Sequence, residues 1–445
     1  MSNPDTATGE KQLTPEERTV LRRAASASFI GNFIEWFDYA SYGYLATVIG
    51  VVFFPDADKS IQLMLTFAVF AMSFILRPVG AVLWGTWGDK YGRRWALSWS
   101  ILLMSGSTFL IAFLPGYAKI GIWAALMLLI LRMVQGFSAS GEYAGAGTFL
   151  AEFAPKGKRG LYTALVPAST AVGLLVGSLT VSILHATLDD AGMQSWGWRI
   201  PFLAAGPLGM IGRYIRVHLE DSPEFSKLKE RSTTAVEKSS PFKDVLKNHF
   251  STVLITFGVA SLNAVAFYML LSYMPTYMSE ELGISDATSN SITSVMLLVY
   301  IGAIMVMGHF SDMVGRRRML IGACIAFIVL TIPLFMAMRG GSIPVIVACV
   351  IVFAIILTAN DGTLATFLAE SFPTEVRYSG FALSFNTANA LLGGTTPFIA
   401  TWLISVTGSA LAPAGYLVVI SLLALGAMLA SKRIPHDAHF VTTEA

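Results

Sequence analysis

The sequence predicts an all-α membrane protein with twelve transmembrane helices in two six-helix halves. Three observations lead to this fold class. Of the 445 residues, 54% are hydrophobic and only 13% are charged, which is about half the charged fraction of a soluble domain. The apolar residues form runs long enough to cross a bilayer, and two charged motifs each occur once in either half of the chain. These observations exclude a large water-soluble enzyme.

A helix needs about 20 apolar residues to cross the hydrocarbon core of a membrane, and twelve runs of the chain meet this requirement. In order, the predicted spans are 24–50, 61–84, 95–114, 120–145, 160–184, 199–215, 250–275, 287–308, 318–338, 343–366, 380–405 and 411–431. The first run is not a cleavable signal peptide, because it is too long and contains Glu35 and Asp38.

The spans divide the chain into five segments. They are an N-terminal segment (1–23), a first six-helix bundle (24–215), a charged linker (216–249), a second six-helix bundle (250–431) and a tail (432–445). We expect the linker to be partly helical along the membrane surface.

The distribution of Lys and Arg predicts the orientation of the chain in the membrane, because 24 of them fall on the side of both termini and 4 on the other side. Both termini are therefore predicted to be cytoplasmic.

The remaining composition narrows the functional classes. Thirty Lys and Arg against 28 Asp and Glu give a net charge of +2, too balanced for a protein that binds nucleic acid through its phosphates. The two cysteines, Cys324 and Cys349, lie inside apolar runs and imply no disulfide. The chain has no nucleotide-binding Gly-rich loop and no metal-ligand spacing. We expect no metal, no cofactor and no ATP-driven step.

Two motifs repeat between the halves. Gly85-x3-Asp89-x2-Gly92-Arg93-Arg94 recurs as Gly308-x3-Asp312-x2-Gly315-Arg316-Arg317, and the segment 148–152 recurs letter for letter as 366–370. Each copy of the second motif is followed at equal spacing by a proline and then by an arginine, Arg159 or Arg377. Duplicated halves with a site between them are typical of an alternating-access transporter.

These motifs resemble those of the major facilitator superfamily over about residues 24–431. Within it, "GNFIEWFDYASYGY" (31–44), "FILRPVGAVLWGTWGDKYGRR" (74–94), "LRMVQGFSASGEYAGA" (131–146), "WGWRIPF" (196–202) and "FPTEVRYSG" (372–380) resemble the metabolite:proton symporter family. The segments 268–279 and 377–403 are similar to its osmoprotectant:proton symporters. Osmosensing members carry a long C-terminal coiled coil, and only residues 432–445 follow the last span here. We therefore do not expect osmotic gating by such a domain.

Six ionisable side chains fall within predicted spans: Glu35, Asp38, Arg77, Arg132, Glu142 and Asp361. Insertion of each at the bilayer centre is unfavourable by about 2.5 to 3.5 kcal/mol. Each must therefore form an ion pair, face water or take part in transport. In the first half three acids face two arginines, and Asp361 adds a carboxylate in the second half. A surplus carboxylate in a low-dielectric site can take up a proton near neutral pH, as proton coupling requires.

Glu35 and Asp38 are three residues apart and share a helix face. Asn32, Tyr39 and Tyr42 lie on or beside that face. Aromatic rings attract quaternary ammonium groups. Arg77 or Arg132 can bind a substrate carboxylate through two parallel hydrogen bonds. The sequence thus favours a binding site for a zwitterion, and the resemblance places the acidic pair and both arginines in the first-half site. The alternative is a structural network in which the acids neutralise the arginines.

Two other sets of residues have open roles. Arg132 with Gln135 and Gly136 resembles a superfamily signature associated with proton coupling. By the internal repeat, Glu142 aligns with Asn360, one residue before Asp361; either acid is a proton group or a gate contact. The motif residues are predicted to form a cytoplasmic gate that favours one conformation. They are Gly85, Asp89, Gly92, Arg93, Glu152, Arg159, Asp312, Arg316, Glu370 and Arg377. Alternatively, their arginines serve only to set the topology.

The resemblance implies a secondary transporter, not an enzyme, that couples a zwitterionic osmolyte such as proline or glycine betaine to inward proton flow. It implies a monomer in the bacterial cytoplasmic membrane whose partners are the substrate, protons and the lipid bilayer. The nearest alternative is proton symport of an organic acid of the citrate, 2-oxoglutarate or shikimate type. Spans seven to twelve contain no clear intramembrane Lys or Arg, which favours the zwitterion over the anion. A drug or sugar facilitator would not need the surplus carboxylates.

Overall fold

The computed structural model describes residues 15–80, 83–84, 87, 93–139, 142–155, 157–219, 241–373 and 376–431. Throughout these residues the chain forms helices joined by short turns, and they contain no β-strand. The helices of the first half are α1 (Pro15–Gly43), α2 (Ala46–Phe53), α3 (Lys59–Ile75), α4 (Arg93–Ile111), α5 (Tyr117–Ile120), α6 (Ile122–Ser138), α7 (Glu142–Phe153), α8 (Arg159–Thr163), α9 (Leu165–Thr187), α10 (Asp190–Gly192) and α11 (Arg199–Leu219). A π-helical turn, Met193–Gly197, precedes α11.

The helices of the second half follow the same plan. They are α12 (Pro241–Asn248), α13 (Phe250–Phe267), α14 (Met274–Leu282), α15 (Asp286–Val314), α16 (Arg316–Gly340), α17 (Ile343–Glu370), α18 (Arg377–Ala388), α19 (Thr396–Thr407) and α20 (Ala412–Ala430). The turn Tyr268–Tyr273 joins α13 to α14, and the turn Asn389–Gly393 follows α18; both are π-helical.

Described helices overlap each of the twelve predicted spans, and several begin or end some residues away from the predicted bounds. Several spans are composite: α1 with α2, α8 with α9, α13 with α14, and α18 with α19. Among the described residues, eight helical segments are long and apolar enough to cross a membrane. Two shorter apolar helices, Trp99–Ile111 and Ile122–Ser138, lie at the third and fourth spans. Large apolar side chains such as Val329 on α16 remain exposed (59%), as expected for a surface that contacts lipid.

The linker between the halves is described only at its ends, because residues 220–240 lie outside the described part. At its C-terminal end, α12 packs against α18. Val245 of α12 is fully buried and belongs to one apolar cluster with Phe372 and Val376. The last part of the linker is therefore a helix that docks on the second half.

Glycines allow helices of the first half to approach closely. A Cβ atom on Gly136 of α6 would overlap the main-chain carbonyl of Ser73 of α3, so only glycine fits at this crossing. Gly315 serves a different purpose, because its φ of +96° turns the chain between α15 and α16. That conformation strongly favours glycine, which explains the last glycine of the second-half motif.

Helix α1 lies at the centre of the molecule. It packs against α9 and α11 of its own half and contacts the Tyr268–Tyr273 turn of the second half. The halves meet where α9 packs against α15, and where α3 packs against α19 and the Asn389–Gly393 turn. They also meet where α7 and α8 pack against α15, α17 and α18. The acidic side chains of α1 therefore lie near the boundary between the halves. Cys324 and Cys349 are buried free thiols.

Candidate substrate site and gates

An ion pair joins α1 to the end of α3. Arg77 Nη2 donates a hydrogen bond to Glu35 Oε1 over 2.6 Å. Their side chains are only 10% and 7% exposed, and charge-assisted hydrogen bonds of this kind are about twice as strong as neutral ones. Because a buried charge without its partner is strongly destabilising, each of the two side chains depends on the other.

Aromatic rings enclose the guanidinium of Arg77. Its Cζ atom lies 4.8 Å from the ring centroid of Tyr39 and 4.5 Å from that of Phe74, within the range of a cation–π interaction. Tyr39 comes from α1, one turn after Glu35, and Phe74 from the last turn of α3. The two helices thus supply a cation, an anion and two rings to one place.

The second arginine has a similar aromatic setting. Arg132 of α6 is fully buried, and its Cζ lies 4.2 Å from the ring centroid of Tyr42 and 5.4 Å from that of Phe70. It donates a hydrogen bond to Gln135 on the same helix. The Tyr42 hydroxyl donates to the carbonyl of Thr66 over 2.9 Å, which holds this ring against the guanidinium.

Asp38 faces a different environment from Glu35. It is fully buried, and its Oδ2 accepts a hydrogen bond from Thr108 of α4 over 3.2 Å. Among the described residues it forms no ion pair within 4 Å. The two acids of α1 therefore have different hydrogen-bond partners.

Asn32 is committed to the packing of α1. Its amide nitrogen lies 3.1 Å from the carbonyl of Val166, 2.8 Å from the hydroxyl of Ser169 and 2.6 Å from that of Thr170. All three partners lie on α9. These contacts fix α1 against α9, one turn away from the Glu35–Arg77 ion pair.

A wall of aromatic side chains crosses from one half to the other beside the ion pair. Trp36 of α1 contacts Phe267 with ring centroids 5.0 Å apart and Tyr268 at 5.9 Å. Phe74 contacts the same Tyr268 at 5.1 Å. Tyr268 begins the π-helical turn between α13 and α14, so a local irregularity of the second half presents its ring to the first.

A narrow cavity adjoins this wall. Its lining residues come from both halves and are Glu35, Trp36, Arg77, Ala139, Tyr143, Phe385, Asn386 and Asn389. A carboxylate, a guanidinium, two amides and aromatic faces thus surround one small space. In this conformation the space measures only about 10 Å³, about enough for one water molecule. A larger molecule can enter only when the halves separate here, and the side chains around the space suit one that carries both a positive and a negative charge.

Asp361 of α17 is buried in the second half and forms no ion pair with any cation among the described residues. Its Oδ1 lies 3.4 Å from the hydroxyl of Tyr143, and its Oδ2 accepts a hydrogen bond from Tyr300 of α15. None of the ion pairs between described residues includes it. The sequence-predicted Asp361 is thus separate from the Glu35–Arg77 pair, and Tyr143 links the two places.

Several predicted gate residues meet where α8 approaches α15; we name this region the Asp312 end. Asp312 accepts hydrogen bonds from the main-chain N–H groups of Gly160 (2.8 Å) and Leu161 (3.0 Å) of the first half. It also pairs with Arg316 over 2.7 Å. Glu370 lies 3.4 Å from Arg316 and 4.0 Å from Arg159 of the first half.

Other contacts reinforce the Asp312 end. The hydroxyls of Thr163 and Thr366 lie 2.6 Å apart across the halves. Arg377 is buried, and its Nε donates to the carbonyl of Ala369 over 2.9 Å within the second half. Gly85, Asp89 and Gly92 lie outside the described residues. The side chains of the remaining predicted residues, Arg93, Glu142 and Glu152, are outside them too.

The opposite end of the molecule has its own contacts between the halves; we name it the Lys59 end. Lys59 and Glu280 form an ion pair over 2.9 Å, and the hydroxyl of Thr47 lies 3.3 Å from Asp286. Both pairs line a half-open cavity of about 330 Å³ that also contains His185. The Lys59 side chain is 74% exposed, so this end is more open to solvent than the Asp312 end.

Sequence reasoning missed Trp36, Thr108, Tyr143, Tyr268 and Tyr300. Tyr143 directly follows Glu142, and its position among small residues is a signal in the sequence that could have identified it. Tyr268 and Trp36 look like ordinary apolar core residues, because aromatic residues are frequent throughout the chain. Only the packing of α1 against the second half distinguishes them.

Comparison with known proteins identifies the family. Residues 24–245 match the family described as sugar (and other) transporter, and residues 256–444 match the major facilitator superfamily. A proline/betaine transporter of Salmonella typhimurium is 39% identical over 411 residues, which cover 91% of this chain and 82% of that protein. The chain belongs to the major facilitator superfamily. The expected membership is confirmed.

Other relatives of this facilitator have similar names. A glycine betaine/proline/ectoine/pipecolic acid transporter of Dickeya dadantii is 38% identical over 415 residues, covering 91% of this chain and 82% of that protein. A putative proline/betaine transporter of Staphylococcus aureus is 35% identical over 403 residues, covering 90% and 86%. These relatives are transporters, so the expectation that this facilitator is a multi-pass membrane transporter and not an enzyme is confirmed.

Solved structures confirm the fold of the facilitator. A proton:xylose symporter bound to 6-bromo-6-deoxy-D-glucose superimposes with a TM-score of 0.74 at 16% identity, covering 94% of this chain and 97% of that one. The partially occluded inward-open xylose transporter of E. coli gives a TM-score of 0.73, also at 16% identity, covering 94% and 99%. The predicted twelve-helix arrangement in two halves is correct.

Proposed function

We propose that this facilitator is a proton symporter of small zwitterionic osmolytes, with proline and glycine betaine as its substrates. The observation that carries the proposal is the buried Glu35–Arg77 ion pair, which is joined over 2.6 Å and enclosed by aromatic rings of both halves. The names of the relatives, which are 35% to 39% identical, support the same substrates. The proposed setting is the bacterial cytoplasmic membrane, with both termini in the cytoplasm and a monomer as the working unit.

The ion pair explains how a zwitterion would bind. Separating Glu35 from Arg77 leaves two buried charges without partners, which is unfavourable by several kcal/mol per ion. A zwitterion replaces both partners at once, because its ammonium group can face Glu35 and its carboxylate can face Arg77. Trp36 lines the narrow cavity beside Glu35 and packs against Tyr268 with ring centroids 5.9 Å apart, and an aromatic ring at such a place attracts a quaternary ammonium.

The same reasoning disfavours an organic acid. A dicarboxylate or tricarboxylate would bring two or three negative charges to a cavity that already contains Glu35. Among the residues that line this cavity, Arg77 is the only cation. The surplus negative charge would remain uncompensated in a buried site, where charges interact more strongly than in water.

The contacts at the two ends support an alternating-access cycle. Asp312 and Glu370 join the halves at one end, and Lys59 and Glu280 join them at the other. Opening either end requires its contacts to separate while the other end stays closed. A few kcal/mol decide the populations of two such states, so a modest change at the central site is sufficient to shift them.

Proton coupling sets the scale of accumulation. One proton moving inward with a neutral zwitterion carries one net charge, which is worth about 3.5 kcal/mol at about 150 mV. At 1.4 kcal/mol per decade this corresponds to roughly 300-fold accumulation. No cofactor is needed, because the proton gradient supplies the free energy.

The test is uptake of radiolabelled glycine betaine and proline into proteoliposomes, with and without an inward proton gradient, for wild type and Glu35→Gln. We expect gradient-driven accumulation in wild type and loss of accumulation in the variant. Citrate and 2-oxoglutarate serve as alternative substrates in the same vesicles. Uptake of these acids without uptake of either zwitterion would contradict the proposed substrate and leave proton coupling intact.

A further inference from the structure

Asp361 of the second half is a buried carboxylate that, unlike Glu35 of the first half, has no ion-pair partner among the described residues. Asp361 is 2% exposed and accepts hydrogen bonds from two tyrosines, Tyr300 and Tyr143. No ion pair of the described residues includes it. An ionised carboxylate buried without a cation is unfavourable, so this position has no structural need for a permanent negative charge.

The two tyrosines differ in which half they belong to. Tyr300 lies on α15, in the same half as Asp361, whereas Tyr143 lies on α7 of the first half. The ring of Tyr143 stacks on Phe385 of α18 with centroids 4.3 Å apart and an angle of 7° between the planes. The Tyr143 hydroxyl is therefore held against Asp361, and its hydrogen bond joins the halves directly.

Tyr143 also reaches the proposed substrate site. It lines the narrow cavity together with Glu35 and Arg77. One side chain thus contacts the carboxylate of the second half and borders the cavity that contains the ion pair of the first half. No other described residue both hydrogen-bonds Asp361 and lines that cavity.

From this arrangement we infer that Asp361 carries the coupled proton and that Tyr143 transmits its protonation state to the first half. The inference rests on the proposed symport. The carboxylate takes one proton from the side that is open to it and releases that proton to the other side. While it is ionised, Asp361 accepts charge-assisted hydrogen bonds from both tyrosines. Once it is protonated, the bond to Tyr143 becomes neutral, and neutral hydrogen bonds are roughly half as strong.

The consequence is a link between proton binding and the contact between the halves. Ionised Asp361 holds Tyr143 and stabilises the closed arrangement near the Asp312 end. Proton uptake weakens that contact and favours separation of α7 from α17. The titratable side chains that hydrogen-bond Asp361 are Tyr143 of α7 and Tyr300 of α15. Proton uptake by the carboxylate thus changes the charge at the boundary between the halves.

The first experiment compares wild type with Asp361→Asn in proteoliposomes. The amide resembles the protonated carboxyl in shape and lacks its charge. We expect gradient-driven accumulation of glycine betaine to fall from as much as about 300-fold to simple equilibration. Counterflow exchange of labelled for unlabelled glycine betaine, which needs no proton step, should persist and become independent of pH. Accumulation as strong as that of wild type in Asp361→Asn would overturn the inference.

The second experiment uses a matched pair, Tyr143→Phe and Tyr300→Phe. Each change removes one hydroxyl from Asp361 and keeps the ring, but only Tyr143→Phe removes a bond between the halves. We expect Tyr143→Phe to increase proton-independent efflux of glycine betaine, whereas Tyr300→Phe retains coupling and shifts the pH at which uptake is half-maximal. Equal behaviour of the two variants would overturn the role of Tyr143, even if Asp361→Asn failed to reconstitute.

The outcomes separate this inference from the proposed function. If wild type accumulates neither glycine betaine nor proline, the proposed substrates are wrong, and the same variants are measured with the substrate that wild type does accumulate. If wild type accumulates glycine betaine with a proton gradient and Asp361→Asn does the same, the symport proposal stands and the assignment of Asp361 fails.

Discussion

Two buried acids of this facilitator, Glu35 in the first half and Asp361 in the second, are held in different ways. In the first half Glu35 is paired with Arg77 among aromatic rings. In the second half Asp361 accepts hydrogen bonds from tyrosines and has no cationic partner among the described residues. A paired acid keeps its charge and suits the recognition of a zwitterion. An acid held by hydroxyls can lose its charge, as a proton carrier must.

The largest expected effect tests whether Glu35 depends on its cation. Arg77→Gln leaves a buried carboxylate without a partner, so we expect a loss of about 3 to 5 kcal/mol of stability. The measurement is the thermal unfolding midpoint of the purified protein in detergent. The double variant Glu35→Gln/Arg77→Gln should recover most of the loss, because it removes both charges.

Asp361→Asn is the matched control for that experiment, since it neutralises an acid that has no ion pair. We expect its unfolding midpoint to stay close to that of wild type. Equal unfolding midpoints for Arg77→Gln and Asp361→Asn would contradict the difference between Glu35, which depends on an ion pair, and Asp361, which does not.

The next largest effect concerns the Asp312 end, where acids of the second half form ion pairs with arginines. Asp312→Asn removes a carboxylate that accepts hydrogen bonds from two main-chain N–H groups and forms an ion pair with Arg316. Hydrogen bonds to charged groups are worth about 1.5 to 3 kcal/mol, so the Asp312 end should open roughly tenfold more often or better. The measurement is the maleimide labelling rate of Thr366→Cys with Cys324 and Cys349 replaced by serine.

Arg317→Gln provides the control for this labelling experiment. Arg317 hydrogen-bonds to Ser431 and to the carbonyl of Leu429, both in its own half. We therefore expect no change in the labelling rate. An equal increase for Asp312→Asn and Arg317→Gln would mean that loss of any charge near this end has the same effect.

A smaller effect tests the aromatic wall that serves the paired acid. Trp36→Leu removes the ring that contacts Phe267 and Tyr268 of the second half. Loss of a desolvated cation–π partner is worth about 1 to 2 kcal/mol. The KM for glycine betaine uptake should therefore rise by about tenfold. Phe327→Leu, which changes a stacked pair with Phe353, should leave the KM unchanged.

The smallest effect concerns an ion pair between the halves that is exposed to solvent. Lys59→Gln breaks the pair with Glu280, but the lysine is 74% exposed, and exposed pairs contribute about 0 to 1 kcal/mol. We expect uptake rates to change by less than about fivefold, with the difference shrinking in high salt. A change as large as that of Asp312→Asn would show that burial does not explain the contrast.

The sequence predicted the spans well, because each is a long apolar run with few alternative structures in a membrane. The identity of the buried charges was also predictable, since ionisable residues inside such runs are rare and conspicuous. The pairing of those charges was not predictable. Whether Glu35 meets Arg77 or Arg132 depends on how α1, α3 and α6 are rotated against one another, and the spacing along one helix carries no information on this.

The irregular turns also escaped prediction. The π-helical turns at Tyr268–Tyr273 and Asn389–Gly393 lie within apolar runs that read as continuous helix. Both turns lie at the boundary with the first half, where Tyr268 contacts Phe74 and Gly394 lies against the same ring. Packing across the boundary, which no single run of residues encodes, accompanies the local change of helical geometry.

The hydrogen bonds of Asp312 to Gly160 and Leu161 have a consequence for how this protein tolerates substitution. Their donors are main-chain N–H groups, so every amino acid except proline offers the same donor at position 161. Gly160 is constrained for a separate reason, since a Cβ there would collide with the Gly308 carbonyl and the Ser311 hydroxyl. The Asp312 contact is thus unequal: the second half contributes the chemistry of a single carboxylate, and the first half contributes only the shape of its main chain.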